Sequence, residues 1–171
     1  MSKNTLWVFD LATTTGWAVF CEGERVASGT FKLRQRTINK VKQPRAAKYA
    51  SLFTLLDSSY SGGGPLPKTP SPDLIVYEVG GFYPSQASAE LAHGLAAHLE
   101  HWAFNYAIPT EQILNWTVKR FACGSARASK ADMIAVAKKL WPRVKIQDDN
   151  EADALLIGAA WLEGAHLKGT E

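Results

Sequence analysis

The chain has 171 residues, 46% of them apolar, and a formal net charge of +3, the size and composition of one soluble domain with a single covered core. No uninterrupted apolar run reaches membrane-spanning length and the first residues do not form a signal peptide, so no membrane association and a cytoplasmic location are expected. Cys21 and Cys123 are isolated and lack CxxC spacing, which argues against a disulfide framework or a zinc site.

The first predicted element lies in TLWVFDLATTTGW, residues 5–17. Leu6, Trp7, Val8 and Phe9 form a short apolar run that suits a fully covered central strand, and the run breaks at Asp10. An unpaired carboxylate there is costly without a partner. Thr13, Thr14, Thr15 and Gly16 supply a polar turn, and Trp17 to Phe20 resume strand character. The expectation is a hairpin with Asp10 at its rim. On its own, Asp10 reads as a cap for that turn; a larger role requires partners elsewhere in the chain. Residues 25–33 predict a third strand paired with residues 15–20, the turn falling at Gly23. Residues 35–43 are basic and polar and read as a loop. Pro44 opens a helix to about Asp57, with Ala47, Tyr49 or Ala50, Phe53 and Leu56 inward. Residues 58–72, with three consecutive glycines and four prolines, predict a flexible surface loop inside one domain spanning 1–171.

Residues 73–78 (DLIVYE) form a second apolar run ending in a carboxylate, Glu78. Gly80 and Gly81 break it, and Phe82 and Tyr83 follow in a loop. From about Ser85 a helix is expected to Asn105, striped by Ala87, Leu91, Leu95, Leu99, Trp102 and Tyr106. Ala89, Ala92 and Ala96 leave other parts of its surface small enough for a neighbouring helix. His93, His98 and His101 do not share one stripe, which argues against a histidine metal site. Residues 106–112 predict a short strand, and Asn115 or Thr117 starts a brief helix through Phe121. Ser129 and Asp132 have capping-box spacing before a helix with Met133, Val136, Ala137 and Leu140 inward, ending ahead of Pro142. Residues 144–147 are linker or a short edge strand. Asp148, Asp149 and Asn150 cap a last helix packed through Ala152, Leu155, Leu156, Ala159 and Trp161. The order implies a mixed α/β sheet of five strands flanked by helices: a three-strand antiparallel meander, then two parallel strands entering through helical crossovers.

Charge is unevenly spread. Lys32, Arg34, Arg36, Lys40, Lys42, Arg45 and Lys48 form one acid-free stretch. Lys119, Arg120, Arg127, Lys130, Lys138, Lys139, Arg143 and Lys145 form a second, broken only by Asp132. Such clustering is the footprint expected for a polyanion. Around these stretches stand polar residues that end strands or start a helix: Asp10 before the first, Glu78 between the two, and Asp153 after the second, with Asp149 and Asn150 one turn before Asp153. Carboxylates gathered at one sheet rim repel unless a cation neutralises them. Hard oxygen donors suit Mg²⁺, with Mn²⁺ able to substitute, and two such ions ~4 Å apart suit in-line phosphodiester hydrolysis.

FDLATTTGWAVF, LIVYE and DDNEADALLIGAAW resemble the RuvC-type Holliday junction resolvases of the ribonuclease H-like superfamily, with the closer likeness to the bacteriophage branch. WTVKRFACGSARASKADM is similar to that family's basic segment. The resemblance implies a metal-dependent endodeoxyribonuclease that, as a homodimer, resolves four-way or other branched DNA by paired symmetric nicks, with no nucleotide cofactor. It implies metal binding by Asp10, Glu78 and Asp153, with Asn150 or Asp149 as a fourth ligand, since many relatives carry an acid where Asn150 stands. It implies DNA contacts from Lys119 and Lys130, and a junction aromatic near Phe82 and Tyr83. Arg120, Arg127, Lys40, Lys42 and Arg45 extend the expected DNA surface. The long helix, through Leu91, Leu95 and Leu99, is the implied dimer interface. Two other readings are open. DLATTTG looks like a first phosphate loop of the actin-like ATPases and sugar kinases, but no second glycine-rich loop appears. A non-catalytic junction binder leaves the three acids without a use.

Overall fold

The computed structural model of the protein describes residues 4–64, 66, 71–80, 83 and 85–169. The meander forms as expected: β1 (Thr5–Asp10), β2 (Thr14–Cys21) and β3 (Glu24–Lys32) pair antiparallel. A small hairpin, β4 (Arg36–Ile38) and β5 (Val41–Gln43), leads into α1 (Pro44–Tyr60). Then come β6 (Leu74–Val79), α2 (Gln86–Asn105), β7 (Thr110–Leu114), α3 (Asn115–Cys123), α4 (Lys130–Leu140) and α5 (Asp149–Leu162). The main sheet has the order β3-β2-β1-β6-β7, with β6 parallel to both β1 and β7. Helices α1 and α2 are the crossovers that parallel pairing requires.

Strand alternation divides the core into two layers. Trp7, Phe9, Ile75 and Tyr77 face α1 and α2, where they meet Leu52, Leu55, Leu95, Leu99 and Trp102. Leu6, Val8 and Val76 face the opposite side, against Ala152, Leu155 and Leu156 of α5 and Val118, Met133 and Ala137 of α3 and α4. Helix α5 is buried along most of its length because it lies between the sheet and α3–α4.

Several local expectations are corrected. Residues 35–43 are not a loop but contain the β4–β5 hairpin. Its two turn residues, Asn39 and Lys40, both have positive φ, as a two-residue hairpin turn needs, yet neither is the glycine that would have signalled it. Helix α1 runs on through Ser58–Tyr60, residues assigned to the surface loop, and Leu66 of that loop is buried in the core. Residues 65 and 67–70 lie outside the described part. The buried face of α1 carries Lys48, Ser51, Leu52, Leu55, Leu56 and Ser59; Ala47, Tyr49 and Phe53 sit on its flank and Ala50 is exposed. The strand expected at 106–112 starts at Thr110, because Tyr106 caps α2 and Ala107 turns with a φ of 54°. Leu140 is exposed, and residues 144–147 are linker. No helix among the described residues is long and apolar enough to cross a membrane.

Candidate active site

Register puts the first two acids side by side. In the parallel β1–β6 pair Phe9 stands opposite Tyr77, so Asp10 and Glu78 occupy the next rung, about 5 Å apart along the hydrogen-bonding direction. Asp10 has the parity of Leu6 and Val8, and Glu78 that of Leu74 and Val76, so both point to the α5 side. The third acid arrives on α5. Opposite Asp10 on β2 is Gly16, and a Cβ built there would lie 1.9 Å from the Asn150 carbonyl oxygen. Only a residue without a side chain lets the first turn of α5 sit on the strand this closely. Asp153, one turn further on, is thereby carried to the same rim.

The three carboxyl groups sense one another. Burial pushes the Asp10 carboxyl well above its usual range, and the charges of Glu78 and Asp153 push it further, with Lys130 opposing. Glu78 is raised to about 7, chiefly by burial and also by Asp153, while a hydrogen bond from Asn115 and the charge of Lys119 act the other way. Asp153 is raised to about 6, again chiefly by burial and then by Asp149, against Lys130 and Lys119. Asp149 is lowered by its ion pair with Lys130.

Neighbouring elements orient these groups. Asn115, at the start of α3, donates from Nδ2 to Glu78 Oε1 at 2.8 Å. Lys119 lies one turn further along the same helix, which brings its charge to Glu78 and Asp153. Lys130 begins α4 immediately after its N-cap Ser129, inside the Ser129–Asp132 capping box, which forms as expected. Its ammonium reaches Asp149 in the first turn of α5. Asp148 caps α5 by accepting from the Glu151 N–H at 3.0 Å. Glu151 is 2% exposed; it accepts from Ser28 Oγ at 2.6 Å and from the Gln147 N–H at 2.8 Å. Ser28 in turn accepts from Arg25. This chain of polar contacts fastens the start of α5 to β3.

As donors, these residues fit a hard divalent cation: all are oxygen ligands, and three carboxyl groups are disfavoured in their charged form until something positive joins them. As positioned, however, no three His, Cys, Asp or Glu side chains among the described residues form a group that could hold a metal ion. Like charges repel, and a cation seated among the three acids would offset that repulsion. Asp149 is engaged by Lys130, whereas Asn150 meets Gly16 through its backbone.

The remaining expected site residues are dispersed. Arg120 and Arg127 are exposed near α3 and α4, and Lys40 and Lys42 are exposed on the β4–β5 hairpin. Arg45 is paired with Glu90 of α2. Phe82 lies outside the described residues. The Tyr83 hydroxyl accepts from the Gly80 N–H at 3.3 Å, and its ring lies edge-on to His93. The expected interface role of Leu95 and Leu99 is corrected: both are 0% exposed within the protomer, in the layer beneath the sheet, and present no surface to a second copy. Leu91 is half-buried against the same layer. The site roles of Asn115 and Glu151 escaped the sequence reading. Asn115 follows a strand end directly, as an orienting residue could, but nothing local ties it to Glu78.

No protein-family model matches the sequence, and no curated protein is similar enough to match. Among solved structures, the chain is similar to Thermus thermophilus RuvC, with a TM-score of 0.67 at 16% identity, covering 95% of this chain and 97% of that one. It is similar to T. thermophilus RuvC in complex with a Holliday junction substrate, with a TM-score of 0.71 at 16% identity and 96% of each chain covered. The yeast mitochondrial Holliday junction resolvase aligns with a TM-score of 0.61 at 15% identity, over 96% of this chain and 80% of that one. The chain therefore has the RuvC version of the ribonuclease H-like fold over almost its whole length.

Proposed function

We propose that this protein is a divalent-metal-dependent endodeoxyribonuclease that resolves four-way or other branched DNA by paired symmetric nicks. The observation that carries the reading is the convergence of Asp10, Glu78 and Asp153 on one sheet rim, each within electrostatic reach of the others. The shared fold with a resolvase solved on a Holliday junction supports it.

In this reading Asp10, Glu78 and Asp153 hold the metal, with Asp149 or Asn150 as a further oxygen donor. Bound Mg²⁺ or Mn²⁺, two ions in the full arrangement, would supply an activated water and a counter-charge for the leaving oxygen. The chain's own side chains do the rest. Asn115 keeps the Glu78 carboxylate turned toward the rim. Lys119 and Lys130 place two ammonium groups beside the acids, where they attract and align the scissile phosphate. Arg120, Arg127, Lys40 and Lys42 extend the attraction along the DNA. The products would carry 5′-phosphates and 3′-hydroxyls. Paired nicks require two sites, hence a homodimer, formed through the half-buried flank of α2 that carries Leu91.

The test is incubation of the protein with end-labelled four-way, three-way and linear duplex DNA, with and without Mg²⁺. The expected result is Mg²⁺-dependent, symmetry-related nicks in the four-way substrate. Equal cutting of linear duplex, or cutting unaffected by chelator, overturns the proposal.

A further inference from the structure

Lys119 and Lys130 approach the acids from the α3–α4 side of the sheet. On the other side, α1 carries a cation of a different kind. Lys48 is only 9% exposed, and its Nζ donates to Thr13 Oγ1 at 3.0 Å. Thr13 belongs to the turn that leaves Asp10. That turn is fastened by the Leu33 N–H donating to the Thr13 carbonyl at 2.8 Å and by Thr15 Oγ1 donating to the Ala12 carbonyl at 2.9 Å.

Lys48 has no carboxylate partner among the described residues, whose ion pairs are Arg45–Glu90 and Lys130–Asp149. An ammonium has three N–H donors, and one hydroxyl satisfies one of them. Buried charges are ordinarily paired, and a cation removed from water without a counter-charge is costly. If Lys48 served only to pack α1 on the sheet, leucine or methionine would fill the place without that cost. Its environment is that of a cation awaiting an anion, at the tip of a turn three residues beyond Asp10. The exposed Lys40 and Lys42 of the β4–β5 hairpin, which runs directly into α1, continue positive charge away from the turn.

We propose that Lys48 and Thr13 form a second phosphate-binding position, which takes a backbone phosphate of the cleaved strand adjacent to the scissile one, from the α1 side. The inference rests on the nuclease reading above. In it the strand crosses the rim between two sets of amines, Lys119 and Lys130 on one face and Lys48 on the other, with the acids between. The buried ammonium gains its counter-charge only when DNA is seated, so Lys48 favours the productive position of the strand over loose electrostatic association.

Binding to a four-way junction as a function of salt, without divalent ion, tests it in the wild type, Lys48→Met, Lys48→Gln and Lys48→Arg. Loss of one phosphate contact should lower the slope of log affinity against log salt by about 0.9 in both neutral variants, and arginine should restore it. Lys48→Gln keeps a hydrogen bond to Thr13 without the charge, so a role confined to pinning the turn leaves its slope at the wild-type value and overturns the proposal. Should Lys48→Met fail to fold, Lys48→Gln carries the same test. A wild-type protein that does not bind junctions removes the nuclease reading itself; one that binds and cuts, with slopes unchanged in the neutral variants, removes only the role of Lys48.

Discussion

The backbone of Gly16 and the carbonyl of Asn150 are in such close contact that a methyl group added to the glycine would stand 1.9 Å from the Asn150 oxygen. Gly16 is paired across the hairpin with Asp10, and Asn150 lies in the first turn of the helix that carries Asp153. The position of Asp153 relative to Asp10 is thus set by the absence of a side chain. Gly16→Ala should push α5 outward and destabilise the fold by about 1–3 kcal/mol, the usual cost of overpacking. Cleavage should fall by more than junction binding, since every acid and every base is still present but Asp153 is displaced. Denaturant unfolding and cleavage rates of the variant check both parts.

Asp10→Asn removes a charge from the centre of the site. Junction binding should persist, because the basic residues are untouched. Cleavage should fall by about 10²–10³-fold, the scale of losing one preorganised electrostatic contact. Stability at neutral pH should hold or rise, since burial, Glu78 and Asp153 all disfavour the ionised carboxyl that is removed. Binding, cleavage and thermal unfolding of the same preparation check the three outcomes.

The raised acids make stability depend on pH. An unfolded glutamate titrates at about 4.3, whereas Glu78 in the fold is raised to about 7. Between those values the folded state binds more protons than the unfolded one, so stability contributed by Glu78 falls as pH rises and is fully lost above the folded value. Asp153 acts in the same direction up to about 6. Asp149 and Asp132, both lowered, act oppositely at more acid pH. The melting temperature of metal-free protein, compared with that of Glu78→Gln, should therefore show a relative decline from about pH 4.5 to 7. Added Mg²⁺ should recover more of it above neutrality than below.

Glu151 anchors the helix rather than the chemistry. Glu151→Ala leaves Ser28 and the Gln147 N–H without their buried acceptor, which should cost about 1–3 kcal/mol. Glu151→Gln, able to accept one of those bonds, should lose less. Chemical denaturation of the two variants gives the comparison.

Much of this architecture is legible in the chain because strand and helix periods are explicit. Two apolar runs that end in Asp10 and Glu78 read as neighbouring strands, and parallel pairing through a crossover then places the acids on one rung. The Ser129–Asp132 capping box needs no tertiary information and forms as read. What is hidden depends on distant partners or on ambiguous spacing. Asn115 and Glu78 are separated by 37 residues, and Ser28 and Glu151 by 123, so no local pattern joins them. Leu95 and Leu99 repeat with a spacing that serves a protomer core as well as an interface, and the sheet above α2 claims them. On α1, Lys48, Ser51 and Ser59 interrupt the apolar stripe that would have marked its buried face.

In the proposed function Asp10, Glu78 and Asp153 close around a divalent cation. Anomalous X-ray scattering from crystals equilibrated with Mn²⁺ tests it most directly. A Mn²⁺ peak in contact with carboxylate oxygens of all three residues is expected, and it should be lost in Asp10→Asn. Mn²⁺ bound elsewhere with this rim left empty, or the same peak retained in the variant, would contradict it.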